Sequence, residues 1–249
     1  MRIASISKLR RAIDRHGLGG ALKVACGKLV SLVHNFRPSV RAESRERERR
    51  AAEFDAEFGV DTSGFIHPTE LRISHPNQRH AISYRGSDPK YFHDAMSSLP
   101  IDYRRFVFID FGSGKGRALL LATKFPFKRI VGVEFSPGLH QIAKENIDRF
   151  SQNADHAFEV ESICMDATAF TLPVDPLVCY FFNPFDADIM QRVLSNIRNS
   201  LARAPRDLFV VYYNPREGNV FDNSDCFGAV GHIGPIRIWQ APMNKTFRK

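Results

Sequence analysis

Cysteine chemistry is largely missing from this chain of 249 residues. Its four cysteines, Cys26, Cys164, Cys179 and Cys226, are widely dispersed, with no CxxC pair and no Cys/His grouping at ligand spacing. That excludes a zinc ribbon and a disulfide framework, so no metal site is expected. The four read as reduced core thiols in a cytoplasmic protein. Long apolar runs are also lacking: none approaches the roughly 20 residues that a membrane-spanning helix needs. Nor does a basic segment lead into an uninterrupted apolar stretch with a cleavage site. The net charge is +8, yet charge of one sign is not concentrated. The most charged stretch, RAESRERERR at 41–50, interleaves Glu43, Glu46 and Glu48 with arginines, which suits a solvated helix or linker and weakens any field toward nucleic-acid phosphates.

Two phosphate-binding patterns are absent as well. A Walker loop aligned on Gly114 and Lys115 puts Ile109 where its first glycine belongs and Gly116 where a hydroxyl should meet magnesium. A dinucleotide fingerprint would need a third glycine where Arg117 stands. What is present is FVFIDFGSGKGR at 106–117, an apolar strand ending in Asp110, then Gly112, Ser113, Gly114 and Gly116, then a helix over 117–124. Glycines there permit positive φ and close backbone approach, and free amides at a helix start can meet a carboxylate or phosphate.

The alternation of strand and helix then continues, the pattern of a parallel sheet covered on both faces. KRIVGVEF (128–135) is a strand ending in Glu134, about 20 residues past the glycine loop, where a carboxylate can accept both hydroxyls of a ribose; a surface glutamate is the alternative. A helix capped by Ser136 follows, with Leu139, Ile142, Ala143 and Ile147 as its packing face. A third strand ends near Met165 and Asp166, and a fully apolar fourth delivers Asn183, Pro184 and Phe185. Polar residues thus gather at the carboxyl ends of four strands, where open α/β sheets bind ligands.

Upstream, FDAEFGVDTSGFIHPTEL from Phe54 has the composition of a structured loop, in which Asp61, Thr62 and Ser63 either turn the chain or form a lid. A helix capped by Ser87 or Asp88 is expected to run to about Ser98, and Tyr84 just before it is either a wall of the site or a buried aromatic. Residues 1–35 have apolar residues at helical spacing opposite a basic face, which suits packing on the main domain, a transit peptide or peripheral contact with an anionic membrane. After the helix from Ala187, a strand over 208–213 ends in a second Asn-Pro pair, Asn214 and Pro215, read as a strand-ending turn; no element is assigned beyond Gly218.

The order DFGSGKGR, VGVEFS, MDATAF, FFNPF, with GVDTSG upstream, resembles a group of bacterial class I S-adenosylmethionine-dependent methyltransferases over residues 54–215. The resemblance implies an α/β, Rossmann-like seven-stranded fold with a helical basic extension over 1–53 and the catalytic domain over 54–249. The last strands of the sheet would form an antiparallel hairpin, supplied by DLFVVYYNP and the segment around GPIRIWQ. It implies S-adenosyl-L-methionine as cofactor, with Asp110 and the Gly112, Ser113, Gly114, Gly116 loop on the methionine part, Glu134 on the ribose, Asp166 on the adenine and Tyr84 as a wall. Asn183, Pro184 and Phe185 become the catalytic turn. Phe185 stands where amino-methyltransferases have a second proline. A fainter resemblance to histone lysine methyltransferases of the non-SET type favours a protein or peptide nitrogen as acceptor. O-methylation of a small molecule or carbohydrate, and a silent cofactor-binding scaffold that recruits a partner, are the alternatives. His93, His140 and His232 are the histidines available as bases.

Overall fold

In the computed structural model, Val107–Phe111 (β3) is the central strand, and all five of its residues are buried. The structure describes residues 38–67, 83–152 and 159–241; the helices expected within 1–35, and Cys26, lie outside them. Two units divide at Arg49 and Arg50, and the sheet and every site residue belong to Arg50–Lys249.

β3 pairs in parallel with Arg129–Glu134 (β4) on one side and Leu177–Phe182 (β6) on the other. Val160–Cys164 (β5) extends the first side and Leu208–Tyr213 (β7) the second, both in parallel. Ile236–Ala241 (β9) runs antiparallel to β7, and Gly228–Ile233 (β8) forms the outer edge against β9. The resulting seven-stranded order is β5-β4-β3-β6-β7-β9-β8. Two short strands, Phe65–Ile66 (β1) and Tyr84–Arg85 (β2), form a separate antiparallel ladder.

Period-two alternation sends Ile109, Phe111, Cys179, Phe181, Val210 and Tyr212 to one face and Phe108, Val178, Tyr180, Phe209 and Val211 to the other. Both faces are covered, which explains why these strands read as continuous apolar runs. Ala187–Arg203 (α5), capped by Asp186, covers the first face with Ile189, Val193, Ile197 and Leu201. Pro38–Phe58 (α1), Pro89–Ser97 (α2), Arg117–Ala122 (α3) and Pro137–Gln152 (α4) are the remaining long elements. Crossovers leave β3 toward β4 and β5, then return to β6 on the opposite side. The gap between the carboxyl ends of β3 and β6 is therefore the topological switch point, where such sheets hold ligands.

Several expectations change. Phe54–Phe58, read as loop, is the last turn and a half of α1: the tilted rings of Phe54 and Phe58 lie 4.9 Å apart, Phe58 meets Phe150 at 4.8 Å, and this burial outweighs the turn-like composition. The loop begins at Gly59, whose φ of 65° ends the helix. Cys164, expected in the core, is exposed, while Cys179 and Cys226 are buried. Beyond Gly218 the chain forms Asn219–Asp222 (α6) and the β8–β9 hairpin; β8 is almost wholly exposed, so it carries no hydrophobic signal to read. The expected hairpin of 208–213 with the GPIRIWQ segment is not formed: 208–213 and 236–241 pair antiparallel, but α6 and β8 lie between them in the chain, and the hairpin is β8–β9.

Candidate active site

The loop after β3 and the turn after β6 meet at the switch point. A Cβ built at Gly112, where φ is 77°, would lie 2.4 Å from Cβ of Pro184, so only glycine lets the two turns touch. A Cβ at Gly114, φ 55°, would lie 2.3 Å from the ring of Tyr84, which closes the loop from above. Gly116 faces elsewhere: its added Cβ would meet Ala143 at 3.3 Å, so it sets the spacing of α3 and α4 and is not among the residues lining the crevice.

Two carboxylates stand at the floor. Glu134 is 4 % exposed, and its Oε2 accepts the Gly114 amide at 2.9 Å while Oε1 accepts the Ser136 amide at 2.8 Å. Asp110 is 3 % exposed. Burial, and then the charge of Glu134, push the Asp110 carboxyl well above the usual range; burial raises Glu134 too, opposed by the amides of Ser136 and Gly114. Two buried carboxylates side by side favour a cationic guest, which would relieve their repulsion.

The upstream segment supplies a clamp rather than a separate lid. Asp55 on α1 accepts the amides of Thr62 (2.9 Å) and Ser63 (2.6 Å) and the Thr62 hydroxyl (2.5 Å). Arg117 is buried against this loop, with Nε on Thr62 Oγ1 at 2.6 Å and Nη2 on Asp55 Oδ1 at 3.1 Å and Ser63 Oγ at 2.8 Å. Its Nη1 is buried with no hydrogen-bond partner among the described residues. Lys115 Nζ bonds Asp61 Oδ1 at 2.7 Å. Asn146, fully buried on α4, donates to the carbonyls of Asp61 (2.8 Å) and Lys115 (2.9 Å) and so ties the clamp to the glycine loop. Half-buried Tyr84 donates its hydroxyl to the Thr62 carbonyl at 2.7 Å, and burial pushes that phenol far up.

Asn183 adopts φ 45° and its Oδ1 accepts the Tyr212 hydroxyl at 3.4 Å. Phe185 lines the crevice but is 7 % exposed and belongs to the core. Asp166 caps the short 3-10 turn Ala167–Ala169 through the Thr168 amide at 2.8 Å and is not among the lining residues. His93, His140 and His232 line neither cavity. The structure thus brings together Asp110, Gly112, Ser113, Gly114, Glu134, Tyr84, Asn183, Pro184 and Phe185, and leaves out Gly116 and Asp166. Sequence reasoning missed Asp55, Arg117 and Asn146; an arginine where a dinucleotide site needs glycine was the one signal on the page.

The crevice is narrow, with about 60 Å³ free, and shares Ser83, Arg85, Phe182 and Asn183 with a neighbouring cavity of about 770 Å³. Among the described residues, no group of His, Cys, Asp and Glu is placed to hold a metal, and no helix is long and apolar enough to cross a membrane.

No family model and no curated protein matches the chain. Solved structures do. The magnesium protoporphyrin IX methyltransferase of Synechocystis PCC 6803, with bound S-adenosylmethionine, is 14 % identical with a TM-score of 0.40, covering 61 % of this chain and 74 % of that one. A TehB-like S-adenosylmethionine-dependent methyltransferase of Corynebacterium glutamicum is 14 % identical with a TM-score of 0.43, covering 62 % and 87 %. The mitomycin 7-O-methyltransferase is 14 % identical with a TM-score of 0.45, covering 61 % of this chain and 52 % of that one, so the chain spans about half its length.

Proposed function

We propose that this chain is an S-adenosyl-L-methionine-dependent methyltransferase acting on a nitrogen held at the Asn183 turn. The observation that carries it is the contact of the glycine loop with the Asn183-Pro184 turn at the switch point, over the buried Asp110 and Glu134. Residues present fit the cofactor. Glu134, held at the crevice by the amides of Gly114 and Ser136, would hold the ribose hydroxyls. Asp110 would face the cationic methionine part and the loop amides its carboxylate, while Phe135 and Leu139 offer an apolar wall to the base. Asp166, which follows β5 and accepts the Thr168 amide, would be the contact for the adenine amine.

When bound, the cofactor supplies a methyl group already activated on a sulfonium. The protein has to hold a lone pair in line with it and keep water out. Asn183 Oδ1, with one lone pair beyond that used by Tyr212, and the Pro184 carbonyl would accept an N–H and aim the nitrogen. Held so, the nitrogen would present its lone pair to the methyl group that the sulfonium would supply, and the proton displaced from the nitrogen would leave to solvent. Phe185, held by the core, walls the methyl's path.

Methyl-labelled cofactor incubated with the full chain and a cell extract tests this. Label in nitrogen-linked methyl groups supports it; label only in O-methyl products supports the oxygen alternative. Label in macromolecules would point to the protein or peptide acceptor. No label anywhere, with cofactor bound, would leave a binding scaffold.

A further inference from the structure

Among the described residues, only Asn183 and Asn214 are non-glycine positions with positive φ, at 45° and 48°. Both precede a proline, and both follow strands in parallel register, Phe182 opposite Tyr213, so the two Asn-Pro turns stand side by side. Such backbone strain persists where the surroundings enforce it, and it gathers at functional sites. Here both turns border the same cavity of about 770 Å³, within the range of small-molecule sites.

That cavity is charged with one sign. Arg85 and Arg216 line it, with no acidic residue among the lining residues. The Arg85 guanidinium sits 5.7 Å from the ring centre of Phe65, another lining residue and 56 % exposed. Arg216 follows the second turn directly; its amide bonds the Asn214 carbonyl at 2.8 Å, and its side chain pairs with no carboxylate among the described residues. Two arginines are a poor receptor for a cationic lysine peptide and a good one for planar or tetrahedral anions.

We propose that this cavity is the acceptor site, and that Arg85 and Arg216 read a carboxylate or phosphate on a small-molecule acceptor, with the Asn214 turn fixing Arg216. The inference rests on the methyl-transfer reading for the word acceptor, but the anion site stands by itself. Its test uses the full chain saturated with S-adenosylhomocysteine, with arginine side-chain N–H resonances followed by NMR during separate titrations with inorganic phosphate, acetate and a single-stranded oligonucleotide. Phosphate or acetate should shift the Arg85 and Arg216 resonances saturably, and whichever binds tighter identifies the anion. Arg216→Gln and Arg85→Gln should each weaken that binding by tenfold or more, and for Arg216→Gln, which lies outside the cofactor crevice, S-adenosylhomocysteine affinity measured by calorimetry should stay within a factor of two. No saturable shift, or equal anion affinity in the variants, would overturn the site. An oligonucleotide that binds more tightly than the small anions would overturn the small-molecule acceptor in favour of nucleic acid. Absence of calorimetric binding in the wild type would instead count against the cofactor reading and leave the anion result to be judged alone.

Discussion

At the scale of single residues, the two buried carboxylates set the electrostatics. Their folded pKa values are raised, so the native state holds protons that the unfolded chain releases, and stability falls as pH rises from the unfolded value through the folded one. Asp110→Asn should therefore unfold at higher denaturant than wild type at pH 7.5, with the advantage shrinking toward pH 4, while cofactor binding weakens; an advantage that grows on acidification would refute the sign. Asn183→Ala should lower turnover by about 100-fold or more with cofactor affinity nearly intact, since the lost contact aims the acceptor; equal turnover would make the turn structural. Asp110, Glu134 and Asn183 were legible because each ends an apolar strand. Arg117 and Asn146 were not, because their partners lie 55 and 85 residues away in the chain.

Among elements, the clamp joining α1, the 59–64 loop and α3 decides whether the glycine loop is presented. Asp55→Ala removes the acceptor shared by Thr62, Ser63 and Arg117 and strands a buried guanidinium, which should cost about 3–5 kcal/mol by urea unfolding. A loss under about 1 kcal/mol would mean that the loop holds itself. Gly112→Ala should be destabilising by about 1–3 kcal/mol and should push Pro184 away, because the left-handed backbone and the 2.4 Å approach both resist a methyl group. The buried strands β3, β4, β6 and β7 could be read from runs of Val, Ile and Phe, and α2 and α5 from their aspartate caps. Exposed β8 offers no such run, and the end of α1 was hidden because its Phe54 and Phe58 find their partners only in the folded core.

For the whole molecule, the Arg50–Lys249 unit contains the sheet, the clamp and both cavities, so removing residues 1–49 should leave a chain that still unfolds cooperatively and binds cofactor. Aggregation of the shortened chain would show that the first unit is needed to cover apolar surface. The alternation of strands and helices announced a parallel sheet as far as β7; the number of strands and the reversed edge came from the resemblance, because an antiparallel last pair leaves little mark on local composition. Calorimetric titration of S-adenosylhomocysteine into the full chain is the most direct test of the central claim. One site per chain is expected, with Glu134→Ala weaker by about 1–3 kcal/mol, the cost of hydrogen bonds to a charged group. No heat of binding, or tighter binding of NADH or ATP than of S-adenosylhomocysteine, would contradict it.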